Sequence, residues 1–198
     1  MISGIDVLLD CIKYARCVYR NIRHMLEYLM LSQFTLASVA LMFMIFLPQI
    51  AFSPIQIIMY SLFVFLPLSL VLSTEQVRGT ELKSGFGEEN VNINFQNLIT
   101  LPLICGLLSG LITVFSARLL MLSGAPDTAC RGLAFMTLSF TSVLMAYSVS
   151  SDSAFSWRMF KNKLLNIGAP AVLLLSSLFV CSEKMSRSLD MAKPDFKY

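Results

Sequence analysis

Between Glu27 and Glu75 this chain carries no charged side chain. A bilayer crossing takes about 20 apolar residues, so the run has room for two crossings, 28–47 and 54–73. Pro48 and Pro54 bracket an uncharged loop between them, and Pro54 suits the first turn of a helix. The approach to the run is as informative. Arg16, Arg20 and Arg23 are spaced by four and three and share one helical face, while Val18, Ile22, Leu26 and Leu29 fall on another. No Gly or Pro interrupts 17–47. The pattern predicts one helix that carries its charge in water and sheds it on entering a membrane.

Three more apolar segments follow, at 98–122, 130–149 and 164–181. The fold expected is all-α: a polytopic transmembrane bundle of about five spans, preceded by an N-terminal cytoplasmic amphipathic helix that continues into the first span. Residues 1–27 form the basic leading helix, 28–181 the bundle and 182–198 a polar tail, expected to be mobile. Pro67 predicts a kink in the second span, and Gly168 with Pro170 predicts an early break in the fifth. The loops 74–97 and 150–163 are polar. Composition agrees: 56% of the 198 residues are hydrophobic and only 14% charged, against roughly 25% charged in soluble domains.

Orientation follows from Lys and Arg. Lys13, Arg16, Arg20 and Arg23 precede the first span, Arg78 and Lys83 follow the second, and Arg158, Lys161 and Lys163 follow the fourth. The two turns on the other side offer only Arg131. The N-terminus is expected in the cytoplasm, in a plasma or inner membrane. The tail is then expected outside, although it carries Lys184, Arg187, Lys193 and Lys197.

Most chemistry is excluded by residue type. The five cysteines are scattered and there is one His, so neither a zinc site nor a disulfide framework is expected. No phosphate-cradling Gly loop and no nucleophilic triad stands out. The net charge of +3 lies beside membrane segments and implies no nucleic-acid partner. The expected partner is the bilayer, with other membrane helices. Catalytic residues, cofactors and metal ligands are all expected to be none. Charge inside a membrane is costly and marks ion pathways, yet the interiors of the spans hold only Arg118, near a span end where it can snorkel, and Arg131 stands at a helix start. Small polar residues remain: Ser32, Gln33, Thr35 and Ser38 on the first span and Thr137, Thr141 and Ser148 on the fourth. Such groups usually bond a helix carbonyl. Gly106 and Gly110 form a small-xxx-small pair suited to close helix packing within the bundle. His24 reads as a lone interfacial imidazole.

The stretch 16–23, with Arg16, Tyr19, Asn21, Ile22 and Arg23 in register, resembles the G-R-x-I-Y-x-N-I-R-K motif that opens the fifth membrane helix of cation-transporting P-type ATPases. The run P-I-Q-I-I at 54–58 is similar to the P-L-Q-I-L that opens their sixth. Arg131, Ala134, Phe135, Thr137 and Leu138 resemble the start of the eighth, and Asn162-Lys163 the approach to the ninth. The resemblance covers nearly the whole chain and implies the C-terminal membrane domain of such a pump.

It also implies what is missing. Ion-ligand positions of the family fall on Gln33 and Leu36 in the fifth helix, on Ser61, Val64 and Phe65 in the N-L-V-T-D-G stretch of the sixth, and on Ser142 in the eighth. The family's carboxylates there read Leu36 and Phe65, so the oxygens that hard cations need are absent. No D-K-T-G-T phosphorylation motif occurs in the chain. The expectation is a non-catalytic module, not an enzyme. The alternative is the membrane part of a split pump that works with a separate P-type ATPase catalytic subunit.

Overall fold

A computed structural model describes residues 4–74, 95–150, 163–182, 185–186 and 189–191. All regular structure among them is helical, and five helices are long and apolar enough to cross a membrane. The polar loops expected at 74–97 and 150–163, with Trp157, lie almost wholly outside the described residues.

The first helix, α1, runs unbroken over Gly4–Phe46. Nothing after Gly4 breaks it, so water-side and membrane-side turns share one hydrogen-bond ladder. Its 43 residues measure about 65 Å at 1.5 Å per residue, roughly twice a hydrocarbon core of about 30 Å. Arg23 pairs with Glu27 at 2.8 Å and Lys13 with Asp10 at 2.8 Å, both on the charged half.

A short 3-10 turn, Pro48–Ile50, reverses the chain. The next helix opens with Ser53 as N-cap and Pro54 in its first turn; Gln56 reaches back to the Ser53 N–H at 3.0 Å and completes a capping box. It runs as α2 (Pro54–Tyr60), a π turn (Ser61–Phe65) and α3 (Leu66–Ser73). The expected disturbance at Pro67 takes this form. Pro67 has no N–H and its ring crowds the carbonyl four residues back, and the ladder widens just before it, with Leu66 N–H bonded to Ser61 O.

The remaining helices are α4 (Phe95–Leu122), α5 (Asp127–Ser150) and α6 (Lys163–Cys181). Gly124 adopts φ +85 between α4 and α5. Its N–H bonds Met121 O, and Ala125 N–H bonds Leu120 O. This is a Schellman cap that a side chain at 124 would strain. The break expected near Gly168 and Pro170 does not occur: α6 runs through Pro170. A proline removes one ladder bond, and neighbouring packing tolerates that in a membrane helix. A Cβ at Gly168 would lie 3.0 Å from Val71 Cγ2, so α6 meets α3 closely just before the proline.

The core lies between α1, α3, α5 and α6, around Tyr28, Phe43, Leu68, Phe135 and Leu165. Water does not drive helices together inside a bilayer, so contact has to come from close fit and small residues. Gly106 and Gly110 supply this on α4. A Cβ at Gly106 would sit 3.0 Å from Phe34 backbone carbon, and at Gly110 3.4 Å from Ser38.

The tail is not free throughout. Ser186, Leu189 and Met191 are buried. Gln56 Nε2 donates to Leu189 O at 2.6 Å, and Arg131 pairs with Asp190 and donates to Gln49 O at 3.0 Å. This segment therefore packs with the 48–53 loop and the start of α5. At the other end of the bundle, Asn21 Nδ2 donates to Ser73 O at 3.3 Å. The two polar ties hold opposite ends.

Candidate functional site

The polar interior is centred on Tyr60, the last residue of α2, where the ladder passes into the π turn. Tyr60 is 2% exposed and Ser142 of α5 is 1% exposed. Their hydroxyls are hydrogen-bonded. Ser142 Oγ also donates to Leu138 O at 2.8 Å. Its single proton is thus committed, so Tyr60 donates and Ser142 accepts. The Tyr60 ring meets Phe135 edge-on at 6.4 Å. A crevice beside it, lined by Leu36, Gln56, Tyr60, Phe135 and Leu138, is too narrow for a water molecule.

The other interior hydroxyls are similarly used. Thr35 donates to Leu31 O at 2.8 Å, Ser32 to Leu29 O at 3.0 Å, Ser139 to Phe135 O at 2.8 Å and Ser176 to Leu173 O at 2.9 Å. Thr137 and Thr141 bond carbonyls of their own helix. Tyr28 is the exception. It is fully buried, its hydroxyl meets no partner, and its ring stacks on Phe65 at 5.7 Å.

The six positions that the resemblance marks as ion-ligand equivalents do not come together as one pocket. Leu36 lines the crevice at Tyr60, and Ser142 holds the Tyr60 hydroxyl. Val64 is in the core, and Phe65 covers Tyr28. Ser61 donates to Ile57 O at 2.9 Å. Gln33 stands apart, exposed on the outer face of α1. Position 33 lies about half a turn from Tyr28 and Leu31 around the helix, so the amide cannot share their face.

In the leading helix Asn21 is buried, Tyr19 is exposed and Arg23 holds Glu27. Arg16 is half-buried. Arg118 is exposed one turn before the end of α4, where snorkelling places it. His24 is 3% exposed. Sequence reading missed Tyr28, Tyr60 and Gln56. Gln56 and Tyr60 are spaced by four on an otherwise apolar helix, and that pair was the available signal.

Chemically the interior offers phenol, alcohol and amide oxygens, and among the described residues no buried carboxylate. Among the described residues no group of three His, Cys, Asp or Glu is placed to hold a metal ion. Ca²⁺ takes six to eight oxygens, carboxylates prominent among them. Neutral hydroxyls already bonded to carbonyls are poor replacements for its hydration shell.

No curated protein and no solved structure matches this chain. A family model does, the one described as cation transporting ATPase, C-terminus, and it covers residues 49–198, more than half of the chain. The match takes in α2 to α6 and leaves α1, with the 16–23 motif, outside it.

Proposed function

Since the chain belongs to the family of cation-transporting ATPase C-termini, a family of membrane domains and not of catalytic ones, we propose that it acts as a non-catalytic integral-membrane module whose ion-ligand positions have been lost. One observation carries this reading. The two positions that the resemblance assigns to carboxylates hold Leu36 and Phe65, and both are engaged in apolar or aromatic packing, beside Tyr60 and on Tyr28. Exchanging a carboxylate for a hydrocarbon removes the charge that offsets a dehydrated cation. In this reading the N-terminus is cytoplasmic and the module works by packing against other membrane helices. Purified chain in lipid, assayed for ATP hydrolysis with Ca²⁺, Na⁺ or K⁺, is expected to match a protein-free control. Cation-stimulated hydrolysis refutes the proposal.

A second reading is favoured by the retained Arg16, Tyr19, Asn21 and Arg23 on α1. The chain then forms the membrane part of a split pump and works with a separate catalytic subunit that uses this helix. Co-purification with a subunit carrying a phosphorylation domain, with transport lost on deleting the chain, supports it. Unimpaired transport after deletion contradicts it.

A further inference from the structure

Among the described residues, the outer face of α1 has no partner in the bundle. In the membrane half it is formed by Leu26, Met30, Gln33, Ala37, Ala40 and Met44, spaced by four, three, four, three and four. All are exposed except Ala40, which is half-buried. In the charged half the same face continues through Leu8, Cys11, Ala15, Val18 and Ile22, all exposed. Leu8 and Met44 are about 54 Å apart along the axis, so the stripe is nearly as long as the helix. It lies opposite the side that carries Tyr28, Leu31 and Thr35 into the core.

Two features make lipid an incomplete cover. The Gln33 amide faces outward within an apolar span, and in hydrocarbon a carboxamide needs a hydrogen-bonding partner. Lipid tails supply none. α1 is about twice as long as a hydrocarbon core, so its charged half, with Leu8 62% exposed, Val18 55% and Ile22 51%, is not covered by lipid tails along its whole length. A single occupant that satisfies both halves must itself be a long helix, apolar along one stripe in water and in lipid, with an amide at matching depth. α1 is such a helix. Two copies of one chain insert with the same topology, so their α1 helices are parallel and each residue meets its own equivalent across a two-fold axis. Gln33 then meets Gln33, and a carboxamide is both donor and acceptor. Ala37 and Ala40, directly beyond it, allow close approach. A near-heptad stripe with one polar position is also the pattern that sets register in parallel helix pairs.

We infer that this chain self-associates through a parallel α1–α1 pair, with Gln33 hydrogen-bonded to Gln33 of a second copy. This goes beyond the module reading and does not depend on whether the interior binds cations.

The test uses the full chain in liposomes at low protein density, read by single-molecule photobleaching and by oxidative crosslinking. Two-step bleaching is expected. Crosslinked dimer is expected from native Cys11 and lost in Cys11→Ser. It is expected from Met30→Cys and Met44→Cys in a Cys11→Ser background, and not from Phe115→Cys on the exposed face of α4. Gln33→Leu is expected to lower the association constant about three- to tenfold, the scale of interhelical polar contacts in membranes, while Gln33→Asn retains it. Single-step bleaching at every density overturns the inference. So does crosslinking at Phe115→Cys equal to that at Met30→Cys, or an unchanged association constant in Gln33→Leu.

Discussion

Tyr60 and Ser142 form a pair whose two ends are not equivalent. Ser142 keeps its bond to Leu138 O when the phenol is removed, so Tyr60→Phe costs about 0.5–1.5 kcal/mol, an ordinary hydrogen bond. Ser142→Ala leaves a buried phenolic O–H with no acceptor and is expected to cost more, about 1–3 kcal/mol. Reversible unfolding in mixed micelles measures both, and the double variant should resemble Tyr60→Phe. Equal single costs would show that the assigned direction of the bond is wrong. Gly106 and Gly110 differ in the same way. A methyl at 106 meets Phe34 backbone at 3.0 Å, whereas at 110 it makes ordinary contact at 3.4 Å. Gly106→Ala should therefore destabilise by about 1–3 kcal/mol and Gly110→Ala by much less. Residue roles were the part least legible in the sequence. Spacing identified Gly106 and Gly110, but nothing in the letters says that Gln33 faces out while Ser142 faces in. Facing is decided by which side of α1 meets α4, a long-range fact.

At the scale of elements, hydropathy and length were sufficient for the five apolar helices, because a bilayer leaves a chain few alternatives to satisfied helices. The continuity of α1 from water into membrane was equally legible, since no breaker separates its halves. Prolines were harder. Pro67 widens the ladder into a π turn, while Pro170 leaves α6 unbroken, and the difference lies in tertiary surroundings. The tail was misread for a similar reason. Its charges suggested solvation, yet Leu189 and Met191 dock where Gln56 and Arg131 wait. Gln56 is 1% exposed and serves both the Ser53 cap and Leu189 O. Gln56→Ala should release 189–191, seen as faster labelling of Met191→Cys. Asp190→Asn should have little effect, because Asp190 is 65% exposed and such pairs contribute about 0–1 kcal/mol. Rapid labelling in Asp190→Asn but not in Gln56→Ala would reverse that ranking.

For the whole molecule, the account is one of solvation inside a helical bundle. Among the described residues its buried side-chain oxygens are hydroxyls such as those of Thr35, Tyr60, Ser139 and Ser142, with the Gln56 amide, and most of the serine and threonine hydroxyls are already bonded to helix carbonyls. A dehydrated cation placed among them would exchange strong hydration for a few neutral dipoles. The most direct measurement is equilibrium binding of radiolabelled Ca²⁺ and Rb⁺ to the full chain in nanodiscs, against empty nanodiscs. The account predicts equal retention in the two, unchanged by Tyr60→Phe. Saturable, stoichiometric retention by the chain that disappears in Tyr60→Phe would contradict it.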